Sequence, residues 1–112
     1  MADYGLVTPM SPSALEDAVK TVGPVAIYMN AARVFTYYAS GILDSKKLCP
    51  ARDNHAITVV GYGNDGTHEY WICKNSWGVD WGEFGYVKIL KSQVEEDEGV
   101  CGIYVGPSYA IV

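Results

Sequence analysis

Positive charge is scarce in this chain: 8 Lys and Arg stand against 13 Asp and Glu, a net charge of −5. Only Lys46 and Lys47 are adjacent, so no basic strip could follow a phosphate backbone, and nucleic acid is not an expected partner. Long apolar runs are missing too. None approaches the roughly 20 residues that cross a bilayer, so no membrane partner is expected. Met1-Ala2-Asp3-Tyr4 also lacks the charged-then-apolar pattern of a signal peptide, which leaves any targeting information to be expected outside these residues. The acidic run Glu95-Glu96-Asp97-Glu98 lacks the spacing and central glycine of a calcium loop and reads as a solvated loop. Neither a metal nor a cofactor is expected. Cysteine is limited to Cys49, Cys73 and Cys101, an odd count that leaves one thiol over if the others pair.

What is present supports a folded unit. Of 112 residues, 49% are hydrophobic, which excludes a disordered tail and is enough for a single domain, 1–112, with a modest core. Gly5 to Met10 reads as an extended lead-in. Ser11-Pro12 is a cap followed by proline at the first helical position, and Ser13 with Glu16 adds an overlapping capping-box pattern. Leu15, Ala18, Val19 and Val22 then line one face of a helix that Gly23-Pro24 stops. Val25, Ile27 and Met29 alternate as a strand does, and a short helix is expected over Ala31 to Ala39, with Val34, Phe35 and Tyr38 inward. Further strands are expected over Tyr86 to Leu90, Ile103 to Val105 and Tyr109 to Val112. Short antiparallel strands with one capped helix make an α+β unit built round a strongly curved sheet.

The informative stretch runs from Asn54 to Tyr86. Ala56 to Val60 is apolar and β-branched, Asn64-Asp65-Gly66-Thr67 is a turn signal, and Glu69 to Lys74 is rich in β-formers, so the segment reads as a hairpin. Its geometry lays the head of the first strand beside the tail of the second. His55 and Asn75, 20 residues apart, then come within hydrogen-bond reach. Trp77 and Trp81 follow, each before a glycine, in a loop whose indoles can cover a polar contact. His68 lies in or beside the turn without aromatic cover and is assigned no role.

These strings, Asn54-His55-Ala56 with Val60-Gly61-Tyr62-Gly63, then Tyr70-Trp71, Lys74-Asn75-Ser76-Trp77-Gly78, Trp81-Gly82 and Gly85-Tyr86, resemble the C-terminal half of papain-like cysteine peptidases, the cathepsin group included. The resemblance implies the barrel-like right-hand domain of the papain fold and hydrolysis of peptide bonds in peptide or protein substrates. It implies that His55 and Asn75 are catalytic, with the imidazole between the nucleophile and the asparagine oxygen, and that Trp77 and Trp81 shield them. It pairs Cys49 with Cys101, a bridge worth on the order of 4 kcal/mol in the chain-entropy model. It places Ala31, Asp53, Asn54 and Gly106 along the substrate cleft. Ala31 and Gly106 are small and leave room for a bulky side chain, whereas Asp53 puts a charge where the family often has an apolar residue.

Cys73 stands two residues before Asn75, in a run the family fills with apolar residues, and reads as a small buried hydrophobe. The nucleophile is therefore expected elsewhere: the family spacing of about 130 to 150 residues before the histidine puts it roughly 75 to 95 residues upstream of Met1. The expected partner is an N-terminal, light-chain domain that carries it. A lysosomal, vacuolar or secreted setting is implied by the same resemblance. The alternative is a non-catalytic truncated or excised domain that binds a peptidase half, an inhibitor or itself, with self-association through the face the missing domain would cover.

Overall fold

The structure, a computed structural model, describes residues 3–111. In chain order it consists of β1 (Asp3–Leu6), α1 (Pro12–Thr21), β2 (Val25–Met29), α2 (Arg33–Thr36), β3 (Ile42–Leu43), β4 (His55–Asn64), β5 (Glu69–Lys74), β6 (Tyr86–Leu90), a 3-10 turn at Val100–Gly102 and β7 (Ser108–Ile111). The strands form one seven-stranded sheet in the order β1-β7-β2-β4-β5-β6-β3, antiparallel except where β3 runs parallel to β6. The α+β expectation is met. Among the described residues no helix is long and apolar enough to cross a membrane.

Helix α1 starts where the Ser11-Pro12 signal puts it. The Ser11 hydroxyl accepts from the Ala14 amide at 3.2 Å, and Pro12 occupies the first turn, where its missing N–H costs nothing. The reciprocal half of the cap differs from the expected one. With Ser11 as the cap, Glu16 is already past the first turn, so it pairs instead with Lys91 Nζ at 2.6 Å. Glu95 does the capping from the far end of the chain, accepting from the Ser13 amide at 3.2 Å and from the Ser11 and Ser13 hydroxyls. The acidic run is thus only partly a solvated loop: Glu95 ties down α1, and Asp97 accepts from Lys46 Nζ at 2.7 Å and the Gly99 amide at 3.0 Å.

Other differences have local causes. The second helix is a single turn, Arg33–Thr36, rather than Ala31 to Ala39. Its β-branched and aromatic residues are weak helix formers, it has no side-chain cap, and the Trp81 indole takes the Thr36 carbonyl at 3.0 Å. The strand expected over Ile103 to Val105 is absent. Gly99, Cys101 and Gly102 all have positive φ there and wind the chain into a tight turn. The last strand is β7, one residue earlier than expected, and Val112, like Met1 and Ala2, lies outside the described residues.

The core lies between α1 and the sheet. Leu15, Val25, Ile27, Met29, Val59, Trp71, Cys73 and Ile89 are sealed from solvent, and β2 alternates buried and exposed as its sequence demands. Trp71 satisfies its indole by donating to Tyr104 Oη at 2.9 Å, and Tyr104 in turn donates to the Ser92 carbonyl at 2.9 Å. Lys91 is buried against the rings of Trp71 and Tyr62 with its charge on Glu16. Cys49 and Cys101 are joined, and Cys73 is a buried free thiol.

Candidate active site

His55 opens β4 and is paired across the sheet with Met29 of β2. The residue before it holds that end in place: the Asn54 amide donates to the Met29 carbonyl at 3.2 Å. The Asn54 side chain accepts from the Ala31 amide at 2.8 Å and donates to Asn30 Oδ1 at 2.9 Å. Asn30 is itself buried and donates to the Pro50 carbonyl at 2.9 Å. This network ties the β2–α2 and β3–β4 loops to the start of β4.

Asn75 follows the end of β5, its amide on the Gly85 carbonyl at 3.0 Å. The register between β4 and β5 decides which way its side chain points. Near the turn Tyr62 faces Trp71, but beyond the irregularity between Val59 and Gly61 the pairs are Val59 with Cys73 and Thr58 with Lys74. One extra residue in β4, the exposed Val60, shifts the pairing by one. Because side chains alternate, that shift matches His55, Ile57 and Val59 to the face carrying Trp71, Cys73 and Asn75. Without it Asn75 would point to the opposite face.

His55 Nε2 lies 2.8 Å from Asn75 Oδ1. The same Oδ1 accepts from the Ser76 amide at 2.8 Å, and a backbone N–H must face an oxygen, so the amide orientation is determined. His55 Nε2 must then carry the proton and donate. In the neutral ring Nδ1 is left as the basic nitrogen.

Aromatic rings enclose the pair. Trp77 lies over the imidazole, centroids 4.9 Å apart and planes 34° from parallel. Phe35, fully buried, meets the imidazole at 5.8 Å and Trp77 at 5.5 Å, both edge-on. Trp81 has no ring contact with His55. It packs on Phe35 at 4.8 Å and on Trp77 at 5.4 Å, holding the cover in place from behind. Excluding water on these sides strengthens the His55–Asn75 hydrogen bond. Trp77 itself is 41% exposed, so the cover is open on its outer side.

The four cleft residues divide into two pairs. Ala31 and Asn54 belong to the polar network under His55. Asp53 and Gly106 border a pocket of about 260 Å³, whose other walls include Tyr28, Gly102 and Val105, with Arg52 and Glu98 beside them. Sequence reasoning missed Phe35 as a site residue, because its apolar spacing marks core and nothing more. It also missed Tyr28, an outward position of β2 that only the sheet carries to the pocket. His68 is exposed in the turn. Burial pushes the Cys73 thiol far above its ordinary pKa. Among the described residues no three His, Cys, Asp or Glu side chains converge as a metal-ligand set.

Residues 1–111 match the family described as papain family cysteine protease. The chain is 41% identical over 117 residues to procathepsin L of Rattus norvegicus, spanning 98% of this chain and 34% of that protein. It is 38% identical over 100 residues to digestive cysteine proteinase 3 of Homarus americanus, spanning 88% of this chain and 30% of that one. The bromelain protease from Ananas comosus, solved in complex with the E64 inhibitor, superposes with a TM-score of 0.89 at 35% identity, covering 97% of this chain and 49% of that chain. The chain belongs to the papain family of cysteine proteases. It spans about a third of the length of these curated relatives.

Proposed function

We propose that this chain is the histidine- and asparagine-bearing half of a papain-like cysteine endopeptidase and completes its active site with an N-terminal domain that carries the nucleophile. The observation that carries this reading is the His55 Nε2–Asn75 Oδ1 hydrogen bond of 2.8 Å beneath Trp77, with Nδ1 left as the basic nitrogen. None of the chain's own thiols suits the nucleophile's part: two are bonded to each other and Cys73 is buried.

In this reading Nδ1 takes the proton of the incoming thiol, giving a thiolate–imidazolium pair. The thiolate attacks the scissile carbonyl carbon, and the tetrahedral intermediate collapses as His55 returns its proton to the leaving amine. Water, deprotonated by the same nitrogen, then hydrolyses the thioester. Asn75 keeps the ring in one tautomer and at one angle through both proton transfers. Peptides and proteins are the substrates, and a lysosomal, vacuolar or secreted setting suits the Cys49–Cys101 bridge. The test is complementation: the chain alone should hydrolyse no peptide, and mixing or co-expression with a nucleophile-bearing papain-like domain should restore turnover that His55→Ala abolishes. Turnover by the isolated chain, or a complex in which His55→Ala is fully active, rejects the proposal.

A second reading, self-association, is favoured by the exposed hydrophobic side chains of Trp77 and Val79 beside the site and of Tyr28.

A further inference from the structure

The strand end that carries the imidazole is thinly held. His55, Ala56 and Ile57 pair with β2 alone, because the β4–β5 ladder begins only at Thr58 with Lys74. β2 in turn meets β7 only at Ala26, so among the described residues the corner of Tyr28, Met29, His55 and Ala56 is the end of a two-stranded ribbon. Such an end frays unless something fastens it. Asn30, the next residue along, does so. Its amide donates to the Cys101 carbonyl at 2.9 Å and the Cys101 amide to the Cys49 carbonyl at 2.7 Å, beside the bridge that joins those two residues. Its side chain donates to the Pro50 carbonyl and accepts from Asn54, each at 2.9 Å. One buried side chain thus joins the bridged loops to the residue before the histidine.

This run of hydrogen bonds has one direction. It starts at the Ala31 amide, which must face an oxygen and so turns Asn54 Oδ1 toward it, and it ends at the Pro50 carbonyl, which must face an N–H. Between those two backbone groups, Asn54 and Asn30 each accept at one end and donate at the other. A carboxylate in place of the Asn30 amide could accept but not donate, and an alanine could do neither. The two members differ in exposure. Asn54 is exposed, so on its own its side chain would exchange partners with water, whereas Asn30 is 6% exposed and has no such choice. The rigidity of the pair therefore comes from the buried member, and Asn54 passes it to His55 through its own amide on the Met29 carbonyl. A catalytic group must be held within about 0.5 Å of its working geometry, and the Asn75 side chain holds the ring only at Nε2.

We propose that Asn30 is a positioning residue for His55: acting through Asn54, it fastens the start of β4 to the loops joined by the Cys49–Cys101 bridge and so keeps the imidazole on Asn75. Its effect on turnover rests on the reading of His55 as catalytic; its effect on the ring does not. The test follows the His55 Nε2–H proton by NMR of the isotope-labelled chain, through its rate of exchange with water. Asn30→Ala should speed that exchange on the order of 10-fold, and in the complemented enzyme should lower kcat by a similar factor rather than raise KM. Ser11→Ala, which weakens the cap of α1, is the control for lost stability and should leave the exchange rate unchanged. Asn30→Asp is the second variant. It loses the bond to Pro50 but keeps the acceptor for Asn54 and the backbone bond to Cys101, so the thermal midpoint should fall while the His55 proton stays protected. In an Asn54→Ala background, Asn30→Ala should have no further effect on that proton. Wild-type exchange in Asn30→Ala, an equal acceleration in Ser11→Ala, loss of protection in Asn30→Asp, or additive effects of Asn30→Ala and Asn54→Ala would overturn the proposal. A complemented Asn30→Ala enzyme with wild-type kcat counts against Asn30 alone, whereas faster exchange in Asn30→Ala beside a wild-type complex that never turns over counts against the catalytic reading alone.

Discussion

At the scale of the residue, His55 is defined by what is attached to it. Asn75 Oδ1 receives two N–H groups and so assigns the proton on the imidazole, and Trp77 and Phe35 hold the ring plane. Removing the imidazole should cost the complemented enzyme about 10²–10⁴ in kcat, measured by steady-state kinetics with the thermal midpoint unchanged. Cys73 is the contrasting residue. Sealed in the core and with its thiol pKa pushed far up by burial, it should ignore a thiol reagent in the native chain and react once on unfolding. Three reactive thiols in unfolded, non-reduced material would remove the disulfide. Cys73→Ala should leave turnover intact and destabilise by about 1 kcal/mol, the scale of a small core truncation.

At the scale of the element, α1 and the β4–β5 pair matter most. Ser11→Ala removes the acceptor for the Ala14 amide and should cost about 1 kcal/mol in chemical denaturation. Val60 is the position of β4 from which one residue can be removed without changing the match. Deleting it leaves Gly61 with Ile72 and Val59 with Cys73 as successive pairs of a regular ladder, so His55 and Asn75 stay on one face, whereas deleting Ile57 moves His55 into the place of Ala56 and turns it to the opposite face. A ΔIle57 chain that complements fully, or a ΔVal60 chain that complements no better than ΔIle57, would refute this account of the site.

At the scale of the whole molecule, charge ties distant parts of the chain together. Hydrogen bonding to Lys91 holds Glu16 below the ordinary carboxylate range, and Lys46 with the Gly99 amide does the same for Asp97. A carboxylate whose pKa is lowered by folding stabilises above its unfolded value, and that stability is lost as pH falls through the folded value. The thermal midpoint should therefore fall below about pH 4. Lys91 has the opposite sign: burial pulls its pKa down, but the Glu16 hydrogen bond and the nearby carboxylates outweigh that and raise it, so its contribution is lost only as pH rises past the ordinary lysine range. Lys91→Met should shallow the acid limb; an unchanged limb would mean that Glu16 is not what titrates. The exposed side chains of Trp77, Val79 and Tyr28 belong to this scale too, and light scattering across a dilution series should find association at high micromolar concentration. A monodisperse monomer would remove that reading.

Part of this architecture is written locally in the amino-acid sequence. The β4–β5 turn is, because Asn64 and Asp65 hydrogen-bond the amides just after them, Asn64 Oδ1 to Gly66 at 2.7 Å and Asp65 Oδ1 to Thr67 at 2.8 Å. So are the alternation of β2 and the start of α1, since each is settled by residues within a few positions of one another. The meeting of His55 with Asn75 is legible only as a consequence of a hairpin. What makes it work is a one-residue bulge that no local signal marks, because Val60 continues an apolar β-branched run. The tertiary structure also cut α2 to one turn, turned Ile103 to Val105 away from a strand, brought Glu95 to the helix it caps and carried Tyr28 to the pocket of Asp53 and Gly106. In each case the deciding partner is distant in sequence: a register, a disulfide, an indole or a carboxylate that reaches its site only after the sheet has formed.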